Sequence, residues 1–286
     1  NAGGIFPGQQ AADLPAAFRE LGLVSTRLYT DLSQEPWAAF DWRQNGSVAV
    51  APERFSCPMS EYVAQERARG RIVEHLAGGR LREIEPALDE QISEAVFYAQ
   101  DGRLNPVRTA LSFAREASRQ GATIAAGVRV DGFEIQNGRV SRVRTSRGDV
   151  HPGHVVLATG WSAPQLAGQL GIRIPIEPAK GQMLATEPVS WRLRTNINST
   201  LAVMQLSSGE VIAGGTVEYV GEDYASTPSA FHFIQNESRR IVPALRDIPF
   251  ARCWAGLRPR TPDEMPIIDR VPGFDNLLIA AGHFKN

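Results

Sequence analysis

Four short segments of this 286-residue chain carry residue types that could do chemistry. Ala158-Thr159-Gly160 closes an apolar run that begins at His154. In open α/β sheets ligands sit beyond the carboxyl ends of parallel strands, and small residues there let a backbone approach closely. Every buried strand also needs a turn after it, and spacing alone favours that plainer reading. Ala2-Gly3-Gly4-Ile5 has consecutive glycines, which permit positive φ and leave amides free to face a ligand. Its plainer reading is a frayed chain end. In Trp254-Ala255-Gly256-Leu257-Arg258-Pro259 an arginine ends an apolar strand. If buried it needs an anionic partner, and its planar fork suits a carboxylate. A surface pair with Asp263 or Glu264 explains the same residue equally well. Gly282-His283-Phe284-Lys285-Asn286 follows a buried-type strand. A lone histidine is more often a structural hydrogen-bonder than a catalyst.

The remaining histidines, His75, His151, His154 and His232, stand in polar or turn contexts and read as structural or solvated. No HExxH-like pair or carboxylate cluster points to a metal, so none is expected. No GxSxG elbow points to a hydrolase.

The elements that must position these residues follow from periodicity. Residues 13–30 and 58–77 have helical spacing, and 81–88 a shorter helix. Asn105 is a good N-cap and Pro106 a good first residue for a helix that stops at Gly121. Strands are expected at 46–51 and 122–126. A hairpin is expected over 128–135 and 140–145, turning at Asn137-Gly138. The run 154–158 reads as a strand covered on both faces. The second half changes character: strands at 176–186, 200–206, 211–216 and 250–257, a helix over 228–242, and a buried-type strand at 277–281. That is an α/β layer joined to an antiparallel α+β element, in two interleaved domains.

Composition sets the outer limits. The chain is 43% hydrophobic and 21% charged, with a formal net charge of −1. That argues against a basic nucleic-acid groove or a polybasic membrane contact. No apolar run approaches the ~20 residues of a membrane-spanning helix. Cys57 and Cys253 are too few for a disulfide scaffold or a zinc site, so a reducing compartment is expected. Of 30 basic residues, all but Lys180 and Lys285 are arginines, which points to a GC-rich bacterial genome. The chain opens on Asn1 and ends at Asn286 just after a strand-like run, the pattern of a segment of a longer chain.

Taken in order, AGGIFP (2–7), DGRLNP (101–106), HVVLATGWSAPQL (154–166), KGQML (180–184), SGEVIAGGT (208–216), WAGLRPRTPDEMPII (254–268) and LLIAAGHFKN (277–286) resemble one family. The chain is similar to the FAD-dependent D-amino-acid oxidase family, near glycine oxidase, sarcosine oxidase and heteromeric amino-acid dehydrogenase subunits. The resemblance covers essentially the whole chain. It implies an α/β FAD-binding, Rossmann-like layer interleaved with an α+β antiparallel-sheet substrate domain. Residues 1–38, 101–173 and 259–286 would form the first, and 39–100 and 174–258 the second.

The resemblance also implies roles. Ala2, Gly3, Gly4 and Ile5 match the loop along the flavin ring, and Val128 a residue whose backbone contacts the adenine. Ala158, Thr159, Gly160 and Trp161 match the strand end beneath FAD. Gly282, His283, Phe284, Lys285 and Asn286 match the loop at the flavin's pyrimidine edge. Arg258 matches the arginine that grips the substrate carboxylate, and Lys285, standing where the family has an arginine, joins it in the catalytic set. The implied reaction is oxidation of the C–N bond of a small amino acid or secondary amine by hydride transfer to flavin, with oxygen or another acceptor taking the electrons.

The sequence departs from the family in places. The family's opening strand and GxGxxG loop would precede residue 1. Thr200 and Ala202 stand where glycine oxidase has a substrate-facing histidine and tyrosine, and Asp269 where a glycine is usual. Residues 204–223 look more like the opine oxidase or hydrogen cyanide synthase type. The alternative is therefore a partner-dependent subunit of a heteromeric dehydrogenase, or an inactive fragment. Homo- and hetero-oligomers both stay open. A cytoplasmic location is expected, peripheral to the inner membrane in the dehydrogenase case. A nicotinamide-binding protein outside this family ranks last, because it leaves WAGLRP and GHFKN unexplained.

Overall fold

The structure, a computed structural model, describes residues 3–9 and 14–285. The chain forms two compact units, each gathered from separated stretches. The first takes the chain up to Ala122, then Gln182–Thr216 and Ala225–Trp254. The second takes Thr123–Gly181, Val217–Tyr224 and the chain from Ala255 onward. The opening loop and the helices Ala16–Leu32 and Pro106–Arg119 go with the first unit. The reason is pairing: Gly4–Ile5 is antiparallel to Gly102–Arg103, and Arg43 bridges to Arg103.

An eight-stranded sheet organises the first unit. Its order is Phe250–Arg260, Glu177–Thr186, Val211–Gly214, Ala202–Gln205, Asn196–Asn198, Ser47–Ala49, Glu94–Tyr98, Val73–Ala77. The first two of these strands run on into the second unit. All neighbouring pairs whose register is resolved are antiparallel except Asn196–Asn198 with Ser47–Ala49, which are parallel. Both faces are covered. Val48, Leu184, Val211 and Ala213 pack with Ile234 and Ile241 of the helix Pro228–Ile241. Their sequence neighbours point the other way, Ala49 toward Met59 and Val63 of the helix Met59–Ala68, and Met183, Ala185 and Ile212 toward Leu206. Alternate side chains of a strand go to opposite faces, so consecutive apolar residues serve two cores.

Local signals explain most elements. Asn105 caps Pro106–Arg119 by accepting a hydrogen bond from the Arg108 amide at 3.0 Å. Three expectations are corrected. The helix expected over 58–77 ends at Ala68, because Gly70 turns the chain at φ 79° and Val73–Ala77 then pairs with Glu94–Tyr98. The strand expected at 122–126 does not form; the stretch is exposed and, within the described residues, has no ladder partner. The run 154–158, read as covered on both faces, forms a strand only over Val155–Leu157, with Leu157 buried and Val156 55% exposed.

The second unit holds two three-stranded sheets. One is the expected hairpin, Val130–Gln136 with Arg139–Thr145, extended by Gly148–Val150. Its turn residues Asn137 (φ 50°) and Gly138 (φ 72°) have the two positive φ values of a tight hairpin turn. The other runs Ile267–Arg270, Leu277–Ala281, Val155–Leu157, and its last pair is parallel. One core, including Val140, Leu157, Ala167, Ile176, Leu277 and Ile279, serves both sheets. Fully buried Asn276 stitches them: it accepts from the Val140 amide at 2.9 Å and donates to the Val140 and Gly153 carbonyls.

Candidate functional site

Each unit contributes candidate residues. In the first, Gly3 and Gly4 are glycines for steric reasons. Gly3 has φ 90°, and a Cβ on it would lie 2.0 Å from the Leu104 carbonyl oxygen, which belongs to the residue whose amide donates to Gly3 at 2.9 Å. A Cβ on Gly4 would meet the Phe6 ring at 2.3 Å. Ile5 continues the short strand, half-buried. Ala2 and Asn286 lie outside the described residues.

The turn after this loop is held by a residue that the sequence reading assigned no role. Asp101 Oδ1 accepts from the Gly8 amide at 2.8 Å. Its Oδ2 accepts from Ser47 Oγ at 2.5 Å and Gln9 Nε2 at 3.1 Å. Burial pushes the Asp101 carboxyl up to about 7, against the pull of Ser47, Gly8, Gln9 and the Arg71 charge. Nearby on the chain, buried Arg103 faces Asp41 at 3.8 Å, and Asp41 also accepts from the amide and hydroxyl of Ser207. The signal for Asp101 was present in DGRLNP, but only burial gives it meaning.

In the second unit, the parallel strands Val155–Leu157 and Leu277–Ala281 end on the same edge, with Leu157 opposite Ile279. Beyond them the residues are small. Ala158 and Thr159 are exposed, and Gly160 turns at φ 59° into a short helical stretch where a Cβ would meet nothing within 4 Å. Gly282 turns at φ 79°, packed so that a Cβ would lie 2.8 Å from Thr261 Cγ2. Trp161 meets Tyr224 edge-on at 6.2 Å. Val128 is half-buried, two residues ahead of the hairpin.

The Arg258 strand and the loop Gly282–Lys285 are fastened together: the Phe284 amide donates to the Pro259 carbonyl at 3.1 Å, with Phe284 at φ 46°. Half-buried His283 has its pKa lowered by desolvation, which favours neutral imidazole. Lys285 is exposed, its Nζ 4.7 Å from the Phe284 ring centroid and 3.9 Å from Glu264. Glu264 also faces Arg260 Nε at 3.7 Å. Of the two acids expected as surface partners for Arg258, Glu264 thus serves Arg260 and Lys285.

Arg258 itself is half-buried, and desolvation lowers its pKa, although a guanidinium keeps its charge at any working pH. Arg258 and Arg260 are two apart on one strand and share a face. The Tyr219 ring stacks 5.2 Å from Arg260 Cζ. Glu218 and Lys180 are bridged through both backbone hydrogen bonds at 2.9 Å. The Lys180 ammonium, 1% exposed, pairs with Asp223 at 2.6 Å and Glu218 at 3.8 Å. The segment Val217–Tyr224 is thereby tied to the strand that carries Gly181. Among the described residues no group of three His, Cys, Asp or Glu could hold a metal ion.

The family model described as FAD dependent oxidoreductase, DAO, matches residues 1–286. The chain belongs to the DAO family. Among relatives, it is 32% identical over 280 residues to hydrogen cyanide synthase subunit HcnC of Pseudomonas aeruginosa, covering 95% of this chain and 67% of that protein. It is 29% identical over 298 residues to glycine oxidase of Bacillus subtilis, covering 100% of this chain and 77% of that protein. The glycine oxidase structure from Geobacillus kaustophilus has a TM-score of 0.90 at 22% identity, covering 100% of this chain and 78% of that one; it shares the fold. The DAO-family fold agrees with the expected α/β FAD-binding architecture. The small strand ends around Ala158–Gly160 and Gly282, with open space at Gly160, fit a dinucleotide held close to backbone. No described helix is long and apolar enough to cross a membrane.

Proposed function

We propose that this DAO-family chain oxidises the C–N bond of a small amino acid or secondary amine, and that Arg258 holds the substrate carboxylate. The observation that carries this is the fastening of Gly282–Lys285 to the Arg258 strand through Phe284 and Pro259, in a member of an FAD-dependent oxidoreductase family. When bound, FAD supplies the two-electron acceptor. Gly3, Gly4 and Ile5 would line it. Ala158, Thr159, Gly160, Trp161, Gly282, His283, Phe284 and Lys285 would hold it, with Val128 at the adenine. The FAD-binding role goes to residues 1–38, 101–173 and 259–286 and the substrate role to 39–100 and 174–258, a division by function rather than compactness.

Arg258 offers a planar fork in a partly desolvated place, where a bidentate carboxylate contact is strong and sets orientation. Neutral His283 adds no competing charge. Lys285 contributes a cation whose charge Glu264 partly balances. Oxygen, a quinone or a protein would take the electrons onward, in a bacterial, cytoplasmic setting. The test is anaerobic mixing of the flavin-loaded protein with glycine, N-methyl amino acids and opines. Bleaching of the flavin absorbance with at least one supports the reading, and no bleaching with any of them overturns it.

A second reading is a partner-dependent subunit, favoured by the 32% identity to a hydrogen cyanide synthase subunit. It is checked by co-expressing the chain with the protein encoded beside its gene. A stable complex whose activity neither component has alone would establish it.

A further inference from the structure

Gly181 lies in the middle of the strand Glu177–Thr186, beside the strand Phe250–Arg260 that carries Arg258. Its backbone does not call for glycine, since it is not among the residues with positive φ. Side-chain space does. A Cβ built on Gly181 would lie 2.0 Å from Arg258 Nη1 and 2.5 Å from both Cζ and Nη2. The Nη1–Nη2 end of the guanidinium therefore occupies the spot that any other residue's Cβ would fill. The clash is with the far end of a flexible side chain, so a Cβ would swing the fork aside rather than break the strand. The adjacent residue is pinned, because Lys180 is bridged through its backbone to Glu218 and through its ammonium to Asp223. The strand cannot easily yield in place of the guanidinium.

We infer that Gly181 is a positioning residue for the reaction: the missing side chain is the seat that aims the Arg258 fork at the substrate carboxylate. This rests on the reading that Arg258 grips that carboxylate. Gly181 touches no reacting atom and acts only through Arg258. A displaced fork loses its bidentate contact with the carboxylate. The loss falls on binding of the carboxylate, which the ground and transition states share, so KM rises while kcat holds.

The experiment is a double-mutant cycle in the flavin-loaded protein with Gly181→Ala, Arg258→Ala and the pair. Acetate, which has a carboxylate and no C–N bond, is titrated by calorimetry and by the flavin absorbance. KM and kcat are read with whichever amine bleaches the flavin. Gly181→Ala is expected to weaken acetate and raise KM roughly 10-fold, with kcat within about two-fold. It should add nothing in the Arg258→Ala background. The Arg258 Nε–Hε NMR resonance should move in Gly181→Ala without any ligand. In an Arg258→Lys background, where no planar fork lies on the seat, Gly181→Ala should cost less. The inference is overturned if Arg258→Ala weakens acetate but Gly181→Ala does not, or if the two effects add. If Arg258→Ala binds acetate as the parent does, the carboxylate reading falls and takes this inference with it.

Discussion

Arg258 and Lys180 are both cations of the second unit, and their surroundings give them different work. Arg258 is half-buried, two residues before Arg260, whose guanidinium stacks on the Tyr219 ring. Removing the side chain by Arg258→Ala should lower kcat/KM by the equivalent of about 2–5 kcal/mol, read with the substrate that bleaches the flavin fastest. Arg258→Lys keeps the charge and loses the fork, so it should recover only part of that loss. Lys180 is the buried member of a pair whose acids are more exposed. Asp223→Ala takes the 2.6 Å partner from a buried ammonium and should destabilise by about 1–3 kcal/mol, discounted because Asp223 is partly solvated. Lys180→Met removes the buried charge itself and should cost less in a urea melt. The opposite order would mean that Lys180 is more solvated than its burial indicates.

At the scale of elements, the second unit depends on one side chain. Asn276 is fully buried and bonds both backbone groups of Val140, tying the hairpin to the parallel strand pair. Asn276→Ala strands two buried backbone groups, at about 1–3 kcal/mol for each left unsatisfied. Hydrogen exchange should then speed up at Val140 and its neighbours while the amides of the helix Pro228–Ile241 stay protected. Uniform acceleration across the chain would refute a local role. The glycine loop has its own clamp in Asp101, which reaches Gly8, Gln9 and Ser47 at once. A carboxylate accepting three donors fixes a turn that has no regular ladder of its own.

That clamp has a consequence for the whole molecule. The Asp101 carboxyl is raised in the folded state from its ordinary 3.8 to about 7, chiefly by burial. Between those values the folded protein holds a proton that the unfolded chain has released. The stabilising contribution is therefore complete below about pH 4 and is lost as pH rises through 7. Glu85, buried and also raised by desolvation, acts in the same sense. Thermal melts between pH 5 and 8 should show Tm falling with rising pH more steeply in the parent than in Asp101→Asn, whose side chain cannot ionise. Parallel curves would show that Asp101 titrates normally. The chain as a whole covers 67% of hydrogen cyanide synthase subunit HcnC of Pseudomonas aeruginosa.

Much of this was legible in the residues themselves. The Asn105 cap with Pro106, the Asn137-Gly138 turn and the buried run at 277–281 are local signals, and each became the element expected of it. The ordered motif set led to the family, because many short matches in one order are hard to produce otherwise. What residue order could not decide depends on distant partners. Val73–Ala77 looks helical by spacing and is a strand because Glu94–Tyr98 lies beside it. Val156 looks buried by composition and is exposed. Asp101 and Gly181 carry no motif of their own; burial and three donors define the first, and a guanidinium occupying the place of a Cβ defines the second. Periodicity and capping act over a few residues, so a sequence displays them. Burial, pairing and the space denied to a Cβ are set by chain that arrives from far away, so only the folded structure decides them.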